Sequence, residues 1–124
     1  MKKSTVSILL AALVLASVFL AGCAQQKAQP QDIKLGAVVS LTGSGSSVGK
    51  HMKQAAELAV SEINAQGGVF VKAYNKKLPI TLIVADDETK PDSAVKAVTK
   101  LASEDKVDIL VGGYSSAVTI ATQG

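Results

Sequence analysis

Short apolar runs alternate with amphipathic stretches from residue 33 onward, and this alternation constrains the fold more than any other feature of the chain. The runs 33–39, 79–85 and 107–111 are rich in aliphatic and β-branched residues, which favour strands. Apolar residues recur at helical spacing after the first two runs. Strands that alternate with helices form a parallel sheet covered on both faces, because the crossovers are right-handed. The sequence therefore predicts a three-layer α/β/α fold with a parallel sheet.

The predicted helices each carry an apolar stripe, and their ends have recognisable residues. Two glycines after Gln66 end the first helix, because glycine adopts a left-handed cap readily. Asp92 or Ser93 is expected to cap the second helix, and a third begins at Ala117. The stripes comprise Met52, Ala55, Ala56, Ala59, Val60 and Ile63 in the first helix, and Ala94, Ala97, Val98 and Leu101 in the second. A loop or hairpin with exposed lysines, Lys72, Lys76 and Lys77, is predicted over 69–78.

The start of the chain has the organisation of a secretory signal. Lys2 and Lys3 precede an apolar stretch that ends in small residues. That stretch is too short to predict a membrane-spanning helix, which needs about 20 apolar residues. Its last four residues, Leu20-Ala21-Gly22-Cys23, resemble the lipobox of bacterial lipoproteins. This resemblance implies a signal peptide over 1–22, a lipid on the Cys23 sulfur and an extracytoplasmic, membrane-anchored protein; the alternative is an ordinary secretory signal with an incidental cysteine.

The composition of the remaining chain excludes several classes of function. Residues 23–32 are polar and glutamine-rich, so they predict a flexible tether before a folded segment over 33–124. Two of the 13 lysines lie in the signal, so 11 remain against 10 acids, and this balance gives no support to a nucleic-acid partner. The sequence has no arginine and only one cysteine. Neither a guanidinium clamp nor a thiolate metal site is therefore expected, and no cofactor is predicted.

Two glycine- and serine-rich loops are the candidate binding segments. Ser40–Gly49 follows the first predicted strand and Gly112–Ser116 follows the third. Ligands of parallel sheets bind beyond the carboxyl ends of the strands, where free N–H groups and helix dipoles favour an anionic group. The first loop matches neither phosphate-binding pattern: Ser44 replaces the first P-loop glycine, and Val48 replaces the third glycine of the dinucleotide fingerprint.

Catalytic interpretations of single residues are weak. Asp86 and Asp87 could bind Mg²⁺ or serve as acid and base, or they could be solvated carboxylates near a helix start. His51 is the sole histidine and is expected to be an exposed helical residue. Ser115 or Ser116 could be a nucleophile, could donate to a bound carboxylate, or could cap a helix. The segment offers no partner base for either serine, so donation to a bound carboxylate is the simpler role.

A set of short motifs, taken in order, resembles the branched-chain amino-acid substrate-binding proteins of ABC transporters, the leucine-binding type of periplasmic binding protein. The likeness covers residues 33–124 and implies the N-terminal part of lobe one of a two-lobe fold with the ligand held between the lobes. The motifs are Ile33–Gly36, Leu41–Gly43, Gly49 with Ile63–Val69, Asp86-Asp87 with Ala94, and Val111–Gly113 with Ser115-Ser116.

The resemblance also implies roles for particular residues. The loop after the third strand would bind the ligand's α-carboxylate through Ser116, with Ser115 and Tyr114 beside it. Thr119, in the helix that follows, is included in this candidate set, and Val48 takes the place of a side chain that contacts the ligand after the first strand. The family's second hydroxyl pair, and its acidic group for the ligand's ammonium, come from strands and a lobe that this sequence does not contain.

The function that the resemblance implies is delivery of a branched-chain amino acid or a small amide to the membrane permease of an ABC importer. Closure of the two lobes would enclose the ligand without chemical change, so the resemblance implies that the protein is not an enzyme. Two alternatives stay open at this point. One is a sensor module that reports its ligand to a receptor, and the other is a surface hydrolase that uses Ser115 or the Asp86–Asp87 pair.

Overall fold

The computed structural model describes residues 30–123. The predicted signal peptide, Cys23 and most of the predicted tether lie outside these described residues. None of the helices within the described range is long and apolar enough to cross a membrane. The elements in chain order are β1 (Ile33–Val39), α1 (Ser46–Ala65), β2 (Val69–Val71), a 3₁₀ turn (Lys72–Tyr74), β3 (Lys76–Leu78), β4 (Ile80–Asp86), α2 (Pro91–Ser103), β5 (Ile109–Gly112) and α3 (Ser116–Ala121).

A parallel sheet with the order β4-β1-β5 forms the middle layer, which confirms the predicted α/β class. Ile33 pairs with Ile80 at one end of the sheet, and Val39 pairs with Asp86 at the other. The chain crosses from β1 to β4 and then back past β1 to β5. The two crossovers run in opposite directions across the sheet. Because both are right-handed connections, α1 and α2 lie on opposite faces of the sheet. Both helices pack on β1 and β4, and α2 also contacts α3.

The core lies between the sheet and α2. Val38, Ala97 and Leu101 are buried there and pack against partly buried apolar side chains of β4, α2 and the following loop. Burial of a leucine such as Leu101 stabilises the fold by about 1.5–3 kcal/mol. The predicted stripe of α2 is therefore confirmed. Its members Ala94, Ala97 and Leu101 are the buried residues of that helix.

The predicted stripe of α1 is only partly correct. Met52, Ala56, Val60 and Ile63 are half-buried, as predicted, but Ala55 and Ala59 are exposed. The half-buried positions follow one i, i+4 line that ends with an i+3 step to Ile63, so they form a narrower stripe than the predicted one. Gly49 is the buried residue of this helix.

The structure places all three helix starts differently from the prediction, although α3 begins only one residue early, at Ser116. α1 begins at Ser46, inside the segment predicted as a loop up to Gly49. A Cβ atom at Gly49 would collide with the Ser40 carbonyl oxygen, so the glycine lets the first turn lie directly on the end of β1. The prediction that Asp92 or Ser93 caps α2 is wrong. The helix starts at Pro91, whose fixed φ suits the first helical position, and no side chain caps it.

Residues 69–78 form a β-hairpin, one of the two predicted alternatives. β2 and β3 pair antiparallel, with Val69 opposite Leu78. Leu78 is buried. Lys72 and Lys77 are exposed as predicted, but Lys76 is half-buried. The Lys76 Nζ donates to the Pro30 carbonyl oxygen at 3.2 Å, which holds the side chain against the chain entering β1.

Candidate functional site

The carboxyl ends of β1, β4 and β5 bring three loops to one edge of the sheet. We name them loop 1 (residues 40–45), loop 2 (residues 87–90) and loop 3 (residues 113–115). Loop 1 leads into α1, loop 2 into α2 and loop 3 into α3. The candidate binding residues lie on this edge, and the hydrogen bonds between the loops determine how rigidly they are held.

Asp86 joins loop 1 to loop 2 with both of its carboxylate oxygens. Its Oδ1 accepts from the backbone N–H groups of Leu41 at 2.8 Å, Thr42 at 3.2 Å and Glu88 at 2.8 Å. Its Oδ2 accepts from the Thr42 hydroxyl at 2.7 Å. Partial burial alone would raise the pKa of Asp86. The Thr42 hydroxyl and the three backbone N–H groups outweigh that effect and lower the pKa below its usual value.

These contacts describe a structural role for Asp86. A carboxylate that accepts four hydrogen bonds stays ionised, and its lone pairs are already directed at protein donors. Within residues 30–123, no group of three or more His, Cys, Asp or Glu side chains lies close enough together to hold a metal ion. The geometry favours Asp86 as the residue that fixes loop 1.

Asp87 is completely buried, so its interpretation as a solvated carboxylate is wrong. Its Oδ1 accepts from the Ser40 hydroxyl at 2.6 Å and from the Thr89 N–H at 2.7 Å. Its Oδ2 has no hydrogen-bond partner among the described residues. Asp87 therefore ties the end of β1 to loop 2 from inside, beneath the first turn of α1, where Gly49 lies on Ser40.

Thr89 completes the connection between the two loops. Its hydroxyl accepts from the Gly45 N–H at 2.9 Å and donates to the Thr42 carbonyl oxygen at 3.1 Å. Gly43 has a φ of 76°, and a Cβ atom there would collide with the Glu88 carbonyl oxygen. Loops 1 and 2 thus meet at a distance that only a glycine permits. The sequence places Thr42 in a candidate loop and in a family motif but gives no role to it or to Thr89, because a hydroxyl close to a strand end is a weak signal.

Tyr114 brings loop 3 to the start of α1. A Cβ atom on Gly45 would lie 2.9 Å from the Tyr114 Cδ1, so the tyrosine ring packs against the Gly45 backbone. The ring is still 47% exposed. Val48 lies one helical turn beyond Gly45 and is 40% exposed. Two of the predicted binding residues, Tyr114 and Val48, therefore present accessible apolar surface at the same edge.

The three remaining candidates differ in what their hydroxyls do. The Ser115 Oγ accepts from the Val118 N–H at 3.2 Å, so this serine caps α3, one of the predicted alternatives. The Thr119 Oγ1 donates to the Ser115 carbonyl oxygen at 3.0 Å and lies against Gly113. Ser116 is exposed, and the structure records no hydrogen bond of its hydroxyl to residues 30–123. Of these three residues, Ser116 is therefore the one with a hydroxyl available for a ligand.

Comparison with known proteins gives consistent matches. A family model described as periplasmic binding protein matches residues 32–124. The Leu/Ile/Val-binding protein BraC3 of Rhizobium johnstonii is 34% identical over 89 residues, which cover 72% of this chain and 22% of that protein.

Two solved structures are similar to the described fold. The branched-chain amino acid transporter substrate binding protein LivJ of Streptococcus pneumoniae, solved with isoleucine, has a TM-score of 0.65 and 32% identity. The match covers 73% of this chain and 24% of that one. A solute binding protein of an ABC transporter from Rhodopseudomonas palustris, solved with 3,4-dihydroxybenzoic acid, has a TM-score of 0.60 and 28% identity. This second match covers 74% of this chain and 23% of the Rhodopseudomonas palustris protein.

The chain spans about a quarter or less of the length of these proteins. All three are described as binding proteins and not as enzymes. This agrees with the prediction that the chain performs no chemistry on its ligand.

Proposed function

Because this chain belongs to the periplasmic binding protein family, we propose that it is part of an extracytoplasmic substrate-binding lipoprotein that serves an ABC importer. The proposed ligand is a branched-chain amino acid, which two lobes enclose when they close about a hinge. Residues 33–124 would supply the first part of lobe one. Cys23 would carry the lipid, and a membrane permease would receive the ligand from the closed form.

The observation that carries the proposal is the free hydroxyl of Ser116 at the carboxyl edge of the sheet. A hydroxyl and nearby backbone N–H groups form short, strong hydrogen bonds with a carboxylate. This part of the protein contains no arginine that could bind a carboxylate bidentately, so hydroxyl and backbone N–H groups are the donors that loop 3 offers to a carboxylate. Isoleucine and 3,4-dihydroxybenzoic acid, the ligands solved with the two structural relatives, both carry a carboxylate. This shared group supports a carboxylate as the part of the ligand that loop 3 binds.

Val48 and Tyr114 would contact the rest of the ligand. Both side chains are partly exposed, and the packing of Tyr114 on Gly45 places its ring beside the start of α1, the helix that carries Val48. The links from Asp86, Asp87 and Thr89 hold loop 1 in place before a ligand arrives. A prearranged site loses less conformational entropy on binding, which favours affinity.

Exposed apolar side chains on β5 and α3 indicate that further elements of the full-length protein pack against this side of the sheet. The edge strand β5 leaves three apolar side chains between 41% and 52% exposed in the described part of the chain, and Ile120 of α3 is 70% exposed. A further strand or helix packed there would remove this surface from water. The proposal therefore predicts an open reading frame that continues past Gly124 through a second lobe. A stop codon directly after Gly124 in the coding DNA would contradict it.

The binding role of Ser116 can be tested by calorimetry on the full-length protein. The change Ser116→Ala is expected to weaken isoleucine binding by about 1–3 kcal/mol, because it removes a donor from a buried charged group. The control is Ser103→Ala, since Ser103 ends α2 and donates to the Thr99 carbonyl oxygen within the same helix. Unchanged affinity of the Ser116→Ala protein would remove this residue from the site.

A further inference from the structure

The hairpin over 69–78 exposes aromatic and apolar side chains at the end of the domain opposite to the candidate site. Phe70 is 57% exposed, and Val69 and Tyr74 are each 40% exposed. Phe70 pairs with Lys77 across the two strands, so both side chains stand on the same face of the hairpin. We name Phe70, Lys72, Tyr74 and Lys77 the hairpin patch; Val69 lies on the opposite face, with Leu78.

The charge of the hairpin is positive. The hairpin contains three lysines and no acid, and the chain entering β1 adds Lys27 and Asp32, whose charges cancel. Lys72 is exposed and makes no hydrogen bond or ion pair with the rest of residues 30–123. The Lys77 Nζ donates to the Gln66 carbonyl oxygen at 2.7 Å in an exposed position, and that contact leaves its charge uncompensated. The hairpin patch thus combines two unpaired cations with two aromatic rings.

The entering chain runs directly against this hairpin. Lys76 donates to the Pro30 carbonyl oxygen, and the Ile33 N–H donates to the Pro79 carbonyl oxygen at 2.8 Å. Cys23 precedes Pro30 by seven residues. Seven residues span at most about 25 Å even when fully extended. A lipid on Cys23 would therefore hold Pro30, and the hairpin residue Lys76 that bonds it, within that distance of the bilayer.

We propose that the hairpin patch rests on the headgroup surface of an anionic phospholipid bilayer. The lysines would be attracted to the negative headgroups, and the aromatic rings would settle at the interface between headgroups and water. Each contact is weak alone, but the lipid anchor keeps the local concentration of membrane high. The candidate site lies at the other end of the strands, so this contact would turn loops 1 to 3 away from the bilayer. The inference rests on the lipid anchor of the proposed function.

The test uses the full-length lipidated protein with a polarity-sensitive fluorophore on an introduced cysteine. Phe70→Cys places the probe on the hairpin patch, and Leu58→Cys, at a side chain that is 61% exposed on α1, is the matched control. The proteins are reconstituted into vesicles of equal parts phosphatidylglycerol and phosphatidylcholine. We expect a blue shift and higher emission at position 70 but not at position 58.

A charge reversal tests the electrostatic part of the inference. Lys72→Glu should reduce the shift at position 70, whereas Lys50→Glu, an exposed lysine near the start of α1, should leave it unchanged. The inference would be overturned by emission at position 70 that matches position 58. It would also be overturned by an equal shift on vesicles of phosphatidylcholine alone. A surface that instead serves a protein partner would stay in water on these vesicles and give the first of these results.

Failure of the lipid anchor gives a different result. Mass spectrometry of the purified protein reports whether Cys23 carries a lipid before the vesicles are prepared. A protein without that lipid would contradict the lipoprotein part of the proposed function. A lipidated protein whose hairpin probe stays in water would contradict only the membrane contact of the hairpin patch.

Discussion

Replacement of Asp86 by asparagine tests whether a single carboxylate holds loop 1 in place. In the folded protein, this carboxylate accepts from three backbone N–H groups and one hydroxyl. Asparagine has nearly the same shape and keeps one carbonyl oxygen for the N–H groups. The change Asp86→Asn therefore removes the charge and turns an amide group toward the Thr42 hydroxyl, with little change in packing.

The expected loss of stability follows from the environment of each donor. A hydrogen bond to a charged group contributes about 1 kcal/mol more than a neutral one. The Leu41 N–H is partly buried, whereas both Thr42 donors and the Glu88 N–H are exposed. Water competes with the three exposed bonds, so each loses only a fraction of that amount. We expect Asp86→Asn to lower the free energy of unfolding by about 2 kcal/mol at neutral pH.

The pH dependence gives a second and independent readout. The folded pKa of Asp86 is lower than its ordinary value of 3.8, so its stabilisation is fully present above that value. It is lost as the pH falls from 3.8 toward the lower folded pKa, because in this range the unfolded state binds a proton at Asp86 that the folded state does not. Since asparagine does not titrate, the stability of Asp86→Asn should fall less than that of the unaltered protein in this acidic range.

Urea denaturation of the full-length protein, followed by circular dichroism at neutral pH and near pH 3, measures both effects. Glu62→Gln is the matched control, because Glu62 is an exposed carboxylate of α1 whose side chain makes no hydrogen bond or ion pair within the described residues. The reasoning would be refuted if Asp86→Asn changed stability as little as Glu62→Gln. An acid-induced loss equal to that of the unaltered protein would refute the assignment of the lowered pKa.

Three further changes test other contacts. The Asn64 side chain accepts from the Ile80 N–H at 2.7 Å and donates to the Ile80 carbonyl oxygen at 2.8 Å. Asn64→Asp should lower the free energy of unfolding, measured by urea denaturation, by about 2–3 kcal/mol, because a carboxylate would repel that carbonyl oxygen. A stability equal to that of the unaltered protein would contradict this. Gly49→Ala should lower the free energy of unfolding by about 3 kcal/mol, since the added methyl group collides with the backbone of Ser40. An unchanged melting temperature would contradict this, because it would mean that α1 moves to accommodate the methyl group without loss of stability. Cys23→Ser should release the protein from the membrane fraction, and persistent membrane association would refute the lipid anchor.

Much of the fold is predictable from local sequence patterns, that is, from residues close to one another along the chain. The bounds of β1 agree with the prediction, and those of β4 differ from it by one residue. Both strands are predictable because β-branched runs bounded by polar residues are a local signal. The start of α1 was placed too late, because Ser46 to Gly49 are small residues that look like a loop. Only the contact between Gly49 and Ser40 shows why a glycine is needed inside that helix.

The site was harder to predict because its contacts join distant segments. Asp87 bonds Ser40 across 47 residues, and Thr89 bonds Thr42 across the same separation. No local pattern distinguishes a buried carboxylate such as Asp87 from a solvated one in the same sequence. The family resemblance identified loop 3 and Val48, whose ligand contacts remain predictions. The structure adds that the hydroxyls of Ser115 and Thr119 form hydrogen bonds with backbone groups of Val118 and Ser115, at the start of α3.

Calorimetric comparison of isoleucine with isoleucinamide on the full-length protein tests the central claim most directly. The two molecules differ at the carboxylate, the group that Ser116 and the start of α3 are proposed to bind. The account predicts that isoleucine binds and that isoleucinamide binds at least about tenfold more weakly, because a charged hydrogen-bond acceptor is lost. Equal affinity for the two molecules, or no binding of isoleucine, leucine or valine, would contradict the proposed site.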